Sequence, residues 1–234
     1  MLNRIDKIIS ENLCISRKDA KNLISTSRVK VDGIICKKSD EKVYDSSTIE
    51  VDNKKINCMK NIYIMLNKPK GIVSASEDSR NKTVVDILPE EYKRKNIFPA
   101  GRLDKDTVGF VLITDDGDFA HRILSPKNHI EKTYVAEIEK NLSDEDIEKF
   151  ENGITLGDGT VCLSAKVRML EDNLAEIKIV EGRYHQVKRM FASLGNKVVS
   201  LKRTSKGKLK LDENLAEGEC RLLNKEELDL IIQK

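Results

Sequence analysis

Apolar and polar positions alternate along this chain with two different periods. Ile5, Ile8, Ile9 and Leu13 recur at helical spacing and predict a short amphipathic helix over residues 3–13. Ser16, with Asp19 three positions on, resembles a capping box and opens a second helix striped by Ala20, Leu23 and Ile24. The segment VKVDGIIC, residues 29–36, then carries Asp32-Gly33 between two apolar runs, a strong local signal for a β-hairpin.

From about residue 61 the period of two dominates. Residues 63–67 (YIMLN) read as a strand, 68–71 (KPKG) as a turn and 72–76 (IVSAS) as a second strand. Residues 83–88 (TVVDIL) read as a short helix stopped by Pro89. GFVLIT (109–114) suits a buried strand, and the alternating KTYVAEIE (132–139) and LAEIKIVE (174–181) suit half-buried ones. Three further helices are expected. One is capped by Ser143 and turns Ile147 and Phe150 inward. A second places Val187, Met190, Phe191 and Leu194 on one face before Gly195, and a third starts behind Asn224. The expectation is an α+β chain of two unequal domains. Residues 1–60 form a small helix–helix–hairpin, and residues 61–234 a mixed, largely antiparallel sheet with helices.

Composition narrows the setting. Of 234 residues, 39% are hydrophobic and 35% charged, enough to bury a core under a polar surface. No apolar run approaches the roughly eighteen residues of a membrane span, and no apolar leader follows the start, so a cytoplasmic, non-membrane protein is expected. Cys14, Cys36, Cys58, Cys162 and Cys220 lie far apart, which favours reduced thiols over a disulfide framework or a zinc site. No oligomerisation stripe stands out, and a monomer is expected. The net charge of +3 is uninformative, but residues 1–60 hold thirteen Lys/Arg against nine Asp/Glu. Arg17, Lys18, Lys21, Arg28, Lys30, Lys37 and Lys38 all fall within residues 17–38, beside the second helix and the hairpin. That is the footprint of a polyanion-binding face, against the plainer reading of a solvated lysine-rich surface.

This N-terminal pattern resembles the RNA-binding domain named for ribosomal protein S-four, through Arg4-Ile5-Asp6-Lys7, SRKDAKNLI and RVKVDG. The resemblance implies contact with structured RNA, mostly through its shape and phosphates.

Candidate chemistry concentrates between residues 99 and 124. Gly101-Arg102-Leu103-Asp104 places a cation and a carboxylate on a loop anchored by the strand that follows, although a lone R-L-D is more often a turn or cap. TDDGD, at 114–118, lacks the ligand spacing of a calcium loop and suits a turn with a helix cap. The three histidines show no metal spacing, and no phosphate-binding, dinucleotide or G-x-S-x-G motif occurs.

GRLDKDTVGFVLITDDGD resembles the signature of the pseudouridine synthases, and four more segments resemble family motifs in the same order: NKPKG, EKTYVAE, EGRYHQVKRMF and VVSLKR. The family isomerises uridine within RNA, without metal or cofactor. The resemblance implies that Asp104 is the essential nucleophile or base, acting on the uracil ring, the anomeric carbon or a ribose proton. Lys188 matches the cation paired with that aspartate, Tyr134 the tyrosine stacked on the target base, and Leu201 an apolar wall. Arg102 is a candidate to fill the gap left by the flipped nucleotide, and Arg183, Arg189 and Arg203 are candidates for phosphate contacts. The pairing of domains resembles the rRNA-modifying branch, acting on naked rRNA or on a ribosomal assembly intermediate. Tyr184-His185 resembles enzymes of the small-subunit 16S rRNA, whose target is uridine 516, more than the large-subunit 23S enzymes. A non-catalytic assembly factor of the same fold is the rival from another class. Intact Asp104, Tyr134, Lys188 and Leu201 argue against it.

Overall fold

The computed structural model describes residues 2–13, 15–44, 47–56 and 61–233; Cys14 and Cys58 lie outside them. It divides into two units, Met1–Ile62 with Leu88–Ile97, and Tyr63–Ile87 with Phe98–Lys234.

In the first unit Leu2–Arg4 is extended (β1) and pairs antiparallel with Lys42–Tyr44 (β4), so helix α1 starts at Ile5 and runs to Asn12, later than its apolar spacing suggests. Ser16 caps α2 (Arg17–Ser25). Its Oγ accepts from the Asp19 amide at 3.1 Å and donates to Asp19 Oδ2 at 2.6 Å. The hairpin forms as expected, from β2 (Val29–Val31) and β3 (Ile34–Ile35). Asp32 and Gly33 take φ of 50° and 83°, the double left-handed turn whose twist matches that of the strands. With β5 (Ile49–Val51) and β6 (Lys54–Ile56) the hairpin makes a sheet ordered β3-β2-β5-β6. Ile5, Ile9, Ala20, Ile24, Val29 and Ile49 form its core, all fully buried. Residues 88–97 belong to this unit, and Arg94 Nη2 donates to Asn12 Oδ1 at 2.7 Å.

The second unit is built on one large sheet. Its path runs β11 (Lys166–Glu171), β12 (Leu174–Ile179), β10 (Lys132–Ile138), β13 (Val198–Lys206), β9 (Val108–Thr114), β7 (Tyr63–Lys68), β15 (Cys220–Leu222). Two short strands flank it: β8 (Phe98–Pro99) on β9 and β14 (Leu209–Lys210) on β13. Every pairing is antiparallel except β9 with β13, which is parallel. At that join Gly109 faces Arg203, and a Cβ on Gly109 would sit 2.3 Å from the Arg203 carbonyl oxygen. With φ of 102° as well, only glycine fits there.

The helices pack on this sheet. Asp116 caps α3 (Gly117–Leu124), its Oδ1 accepting from the Phe119 amide at 2.9 Å, which accounts for TDDGD as a turn and cap. Ser143 and Asn224 close full capping boxes on α4 (Asp144–Asn152) and α6 (Lys225–Ile232). The remaining helix is α5 (Gln186–Ser193), after which Gly195 turns the chain at φ of 69°. Phe150 of α4 meets Phe191 of α5 with ring centroids 5.0 Å apart.

Two further short segments differ from the sequence expectation. Residues 72–76 form no strand beyond a single bridge, Val73 to Thr83. Ser74 instead turns its hydroxyl to accept from the Leu103 amide at 3.0 Å. Residues 83–88 form a turn instead of a helix. The Asp86 carboxylate accepts from the Thr83 amide at 2.8 Å, and Thr83 Oγ1 accepts from the Asp86 amide at 3.1 Å. Such local side-chain bonds compete with helical ones, and the β-branched run at 83–85 adds little helix propensity against them.

Cys36 and Cys162 are buried free thiols. Among the described residues no helix is long and apolar enough to cross a membrane.

Candidate active site

Asp104 lies on the loop between β8 and β9, and that loop is fastened at both ends. At its start Lys206 Nζ, fully buried, donates to the Ala100 carbonyl at 2.7 Å. In the middle, Leu103 is held by Ser74. At its end the buried Lys68 Nζ donates to the carbonyls of Lys105 at 3.2 Å and Thr107 at 2.8 Å, and to that of Pro69 at 3.1 Å. The Gly71 amide adds a bond to Lys105 O at 2.8 Å. Asp104 is thus presented half-buried from backbone hydrogen-bonded on both sides of it, the kind of support that a positioned side chain needs.

Burial pushes the Lys68 amine down to about 8, against the opposing pull of Asp106, Asp104 and Glu217. Lys132, which donates to the Ile130 and Val180 carbonyls, is also lowered to about 8 by burial, with Arg203 adding to the effect. Lys206 is lowered well below the ordinary lysine range for the same two reasons, with Lys132 contributing. The sequence singles out neither lysine as buried, although Lys68 lies within NKPKG. Lys68 reads as the first residue of a Pro-Gly turn, and Lys206 as one cation in a lysine-rich stretch.

Helix α5 brings two side chains to the carboxylate. His185 Nε2 lies 3.4 Å from Asp104 Oδ1, and Lys188 Nζ lies 3.8 Å from Oδ2. Lys188 makes a closer bond, 2.5 Å, to Asp106 Oδ1, and this bond is the main reason that the Asp106 carboxyl lies below its usual range. The ammonium is therefore shared between two carboxylates and is hydrogen-bonded to the one that the motif does not single out. In the sequence His185 marks only a subgroup. It combines its contact to Asp104 with a backbone φ of 49°, and helix periodicity reports neither.

Tyr134 and Leu201 come from adjacent strands of the same sheet. In the β10–β13 register Tyr134 faces Arg203 and Ala136 faces Leu201, and both Tyr134 and Leu201 are buried. Strand β13 in turn lies beside the start of β9, which carries the Asp104 loop. Arg203 requires a correction as a surface phosphate contact: it is 3% exposed. Its Nε donates to the Phe110 carbonyl at 2.7 Å, and its guanidinium carbon lies 6.0 Å from the Tyr134 ring centroid. Arg102 is exposed, Arg183 is exposed and paired with Glu181 at 2.9 Å, and Arg189 pairs with Asp158 at 2.5 Å.

The basic face of the first unit separates into two groups. Arg4 and Arg17 pair with the buried carboxylate of Asp6 at 2.9 and 3.4 Å, and the Arg4 bond is the largest cause holding Asp6 below its usual range. Arg28 is bidentate with Asp52 at 2.7 and 2.6 Å, and Lys30 bonds Asn53 at 2.9 Å. Lys18, Lys21, Lys37 and Lys38 are exposed. Among the described residues no cluster of His, Cys, Asp or Glu is arranged to hold a metal ion.

A small unit of two helices and short sheets, and a mixed-sheet domain whose β8–β9 loop brings Asp104 and Asp106 to Lys188, define a class, and family comparison agrees. The profile described as RNA pseudouridylate synthase matches residues 62–193, and the S4 domain profile matches residues 3–47. The chain belongs to the RNA pseudouridylate synthase family. Among individual relatives, an uncharacterized RNA pseudouridine synthase of Bacillus subtilis is 43% identical, over 97% of this chain and 98% of its own length. The ribosomal small subunit pseudouridine synthase A of Vibrio cholerae is 40% identical, over 96% and 97% respectively. A solved pseudouridylate synthase superposes with a TM-score of 0.68 at 39% identity, covering 98% of this chain and 99% of that one.

Proposed function

We propose that this protein converts one uridine of 16S rRNA, uridine 516, to pseudouridine, with Asp104 as the reacting carboxylate. The observation that carries the reading is the Asp104 loop, tied down on both sides and presenting its carboxylate to His185 and Lys188. The small-subunit target is supported by similarity to relatives of that name in Vibrio cholerae and Salmonella typhimurium, at 40% and 41% identity.

The reaction is an isomerisation. The bond from ribose C1′ to uracil N1 breaks, the ring turns, C1′ bonds to C5, the C5 hydrogen leaves and N1 gains a proton. No electrons enter or leave, so the residues need only bind, orient and move protons. Asp104 supplies the nucleophile or base. Lys188, poised between two carboxylates, balances the charge that desolvation penalises when RNA closes the site. Tyr134 carries the base and receives a proton late, and Leu201 walls the pocket. Arg102, exposed on the same loop, fills the stack after the uridine flips out, at a cost of a few kcal/mol. Arg183 and Arg189 meet phosphates, while Arg203 acts from beneath Tyr134.

In the first unit Lys18, Lys21, Lys37 and Lys38 contact phosphates directly, whereas Arg4, Arg17 and Arg28 first hold their own carboxylates. Lys18→Ala with Lys21→Ala is expected to weaken RNA binding and to flatten its salt dependence, by about one in logarithmic slope for each phosphate that is no longer neutralised. An unchanged slope would remove both lysines from the interface. The protein works as a cytoplasmic monomer.

Mapping pseudouridine in both ribosomal RNAs, in cells with and without the gene, tests the function. Loss of one site in 16S rRNA is the expected result. A lost site in 23S rRNA would keep the chemistry and overturn the target. No lost site in either would overturn an rRNA substrate.

A further inference from the structure

Tyr184 is 73% exposed, a large aromatic ring held in solvent beside the reacting carboxylate. Single exposed aromatics are common and need no explanation. This one is organised. Its ring stacks on that of His185, with centroids 3.8 Å apart and planes 19° from parallel. His185 is itself fixed from two sides. Its backbone holds φ of 49° at the start of α5, an uncommon conformation for a side-chain-bearing residue, and its Nε2 reaches Asp104 Oδ1 at 3.4 Å. One face of the tyrosine is therefore covered by a ring anchored to the active-site loop, and the residue's exposure leaves the other face to solvent. Cations stand alongside: Arg183 precedes it in the chain, and Arg189 Nη1 donates to the Tyr184 carbonyl at 3.5 Å.

We propose that Tyr184, backed by His185, is a stacking platform for a nucleobase next to the target uridine. The inference rests on the reading of Asp104 as the group that meets that uridine. Flipping one nucleotide out of a strand deprives its neighbours of a stacking partner, and a flat aromatic surface of fixed distance from the reacting centre replaces it. Stacking accepts any base, because every base has a π-face, so the platform contributes affinity and register more than base identity. Arg183 and Arg189, which pair with Glu181 and Asp158, exchange those carboxylates for the phosphates on either side when RNA binds. The contact from His185 to Asp104 sets the spacing between the stacked base and the uridine being isomerised.

The test uses full-length protein and an RNA fragment centred on the uridine found by mapping, with 2-aminopurine substituted on its 5′ or its 3′ side. Wild-type protein should quench one of the two probes on binding. Tyr184→Phe should retain the quench. Tyr184→Ala and Tyr184→Leu, the second keeping bulk without a π-face, should lose it. Release of tritium from C5-labelled uridine should show KM raised about ten- to a hundredfold in both, with kcat within about threefold and an unchanged melting temperature. A KM within twofold of wild type in Tyr184→Ala, or no quench at either flank with wild type, would overturn the platform. The Asp104→Asn protein separates the two readings, since it keeps Oδ1 for the His185 contact and should quench as wild type does while releasing no tritium. If it releases tritium normally, the role of Asp104 falls, and the quench still judges Tyr184.

Discussion

Asp104→Ala is expected to bind RNA within about twofold of wild type and to lose pseudouridine formation by at least about 10⁴-fold, the scale seen when an essential reacting group is removed. Its surroundings argue that the loss is chemical and not a failure to fold. The carboxylate is 24% exposed, and its contacts to His185 and Lys188, at 3.4 and 3.8 Å, are both long. Lys188 keeps its 2.5 Å bond to Asp106 when Asp104 is gone. The loop keeps its anchors too, because Lys206, Lys68 and Ser74 grip backbone atoms and the hydrogen bonds survive any side-chain change at 104. Tritium release and binding measured on one preparation, with thermal unfolding as the control, check the expectation. Asp104→Asn, which keeps the shape and removes the charge, should be equally inactive. Wild-type turnover in either variant would sink the assignment.

Lys68→Met should lower kcat at least about a hundredfold while leaving the protein folded. Lys68 Nζ donates to three carbonyls, and three donors exist only on the protonated amine. Two of those carbonyls, Lys105 O and Thr107 O, frame the aspartate's loop. Removing the amine leaves that loop free to shift, and a displacement of about 1 Å at a reacting group costs about a hundredfold. Stability changes less, because orphaned carbonyls at about 1–3 kcal/mol each are offset by no longer burying a charge. The Gly71 amide also still serves Lys105 O.

The pH dependence has a definite sign. Burial lowers Lys68 from 10.5 to about 8 in the folded protein, so between these values the unfolded chain holds more protons than the folded one. Folding stability therefore rises with pH across that window, by about 3 kcal/mol from this group alone, and Lys68→Met should lack that increment. Lys132 contributes over the same window and should remain in the variant. Activity should move the other way, falling above about pH 8 as the amine loses its third N–H. Denaturant titrations and rates across pH 7–10.5 check both. A parallel stability profile in wild type and variant would show that Lys68 does not carry the effect.

Local order is legible in the residues. Ser16, Ser143 and Asn224 announce their helices because a cap is a bond between positions three apart. Asp32-Gly33 announces its hairpin because the turn's φ values are a property of two residues. Two of the segments that depart from expectation, 72–76 and 83–88, are decided by a side chain outcompeting a weak backbone preference: Ser74 bonding Leu103, and Asp86 bonding Thr83.

The candidate site divides along the same line. Motif order points to Asp104, Tyr134, Lys188 and Leu201 through family resemblance, and the spacing of Val187, Met190 and Phe191 puts Lys188 at the flank of a buried stripe. Nothing within a few residues of Lys68, Lys206 or Arg203 marks them as buried. Each reaches an acceptor distant in sequence: Thr107 is 39 residues from Lys68, Ala100 is 106 from Lys206, and Phe110 is 93 from Arg203. Lys188 likewise finds Asp106 across 82 residues. By itself, then, the sequence determined the capped helices, the hairpin, several of the strands and the family, because these are written in neighbours and in motif order. Only the tertiary structure decided which cations are interior, which carboxylate binds Lys188, and that residues 88–97 belong to the first unit. Those outcomes depend on desolvation and on contacts closed over long loops, and neither leaves a period or a spacing in the chain.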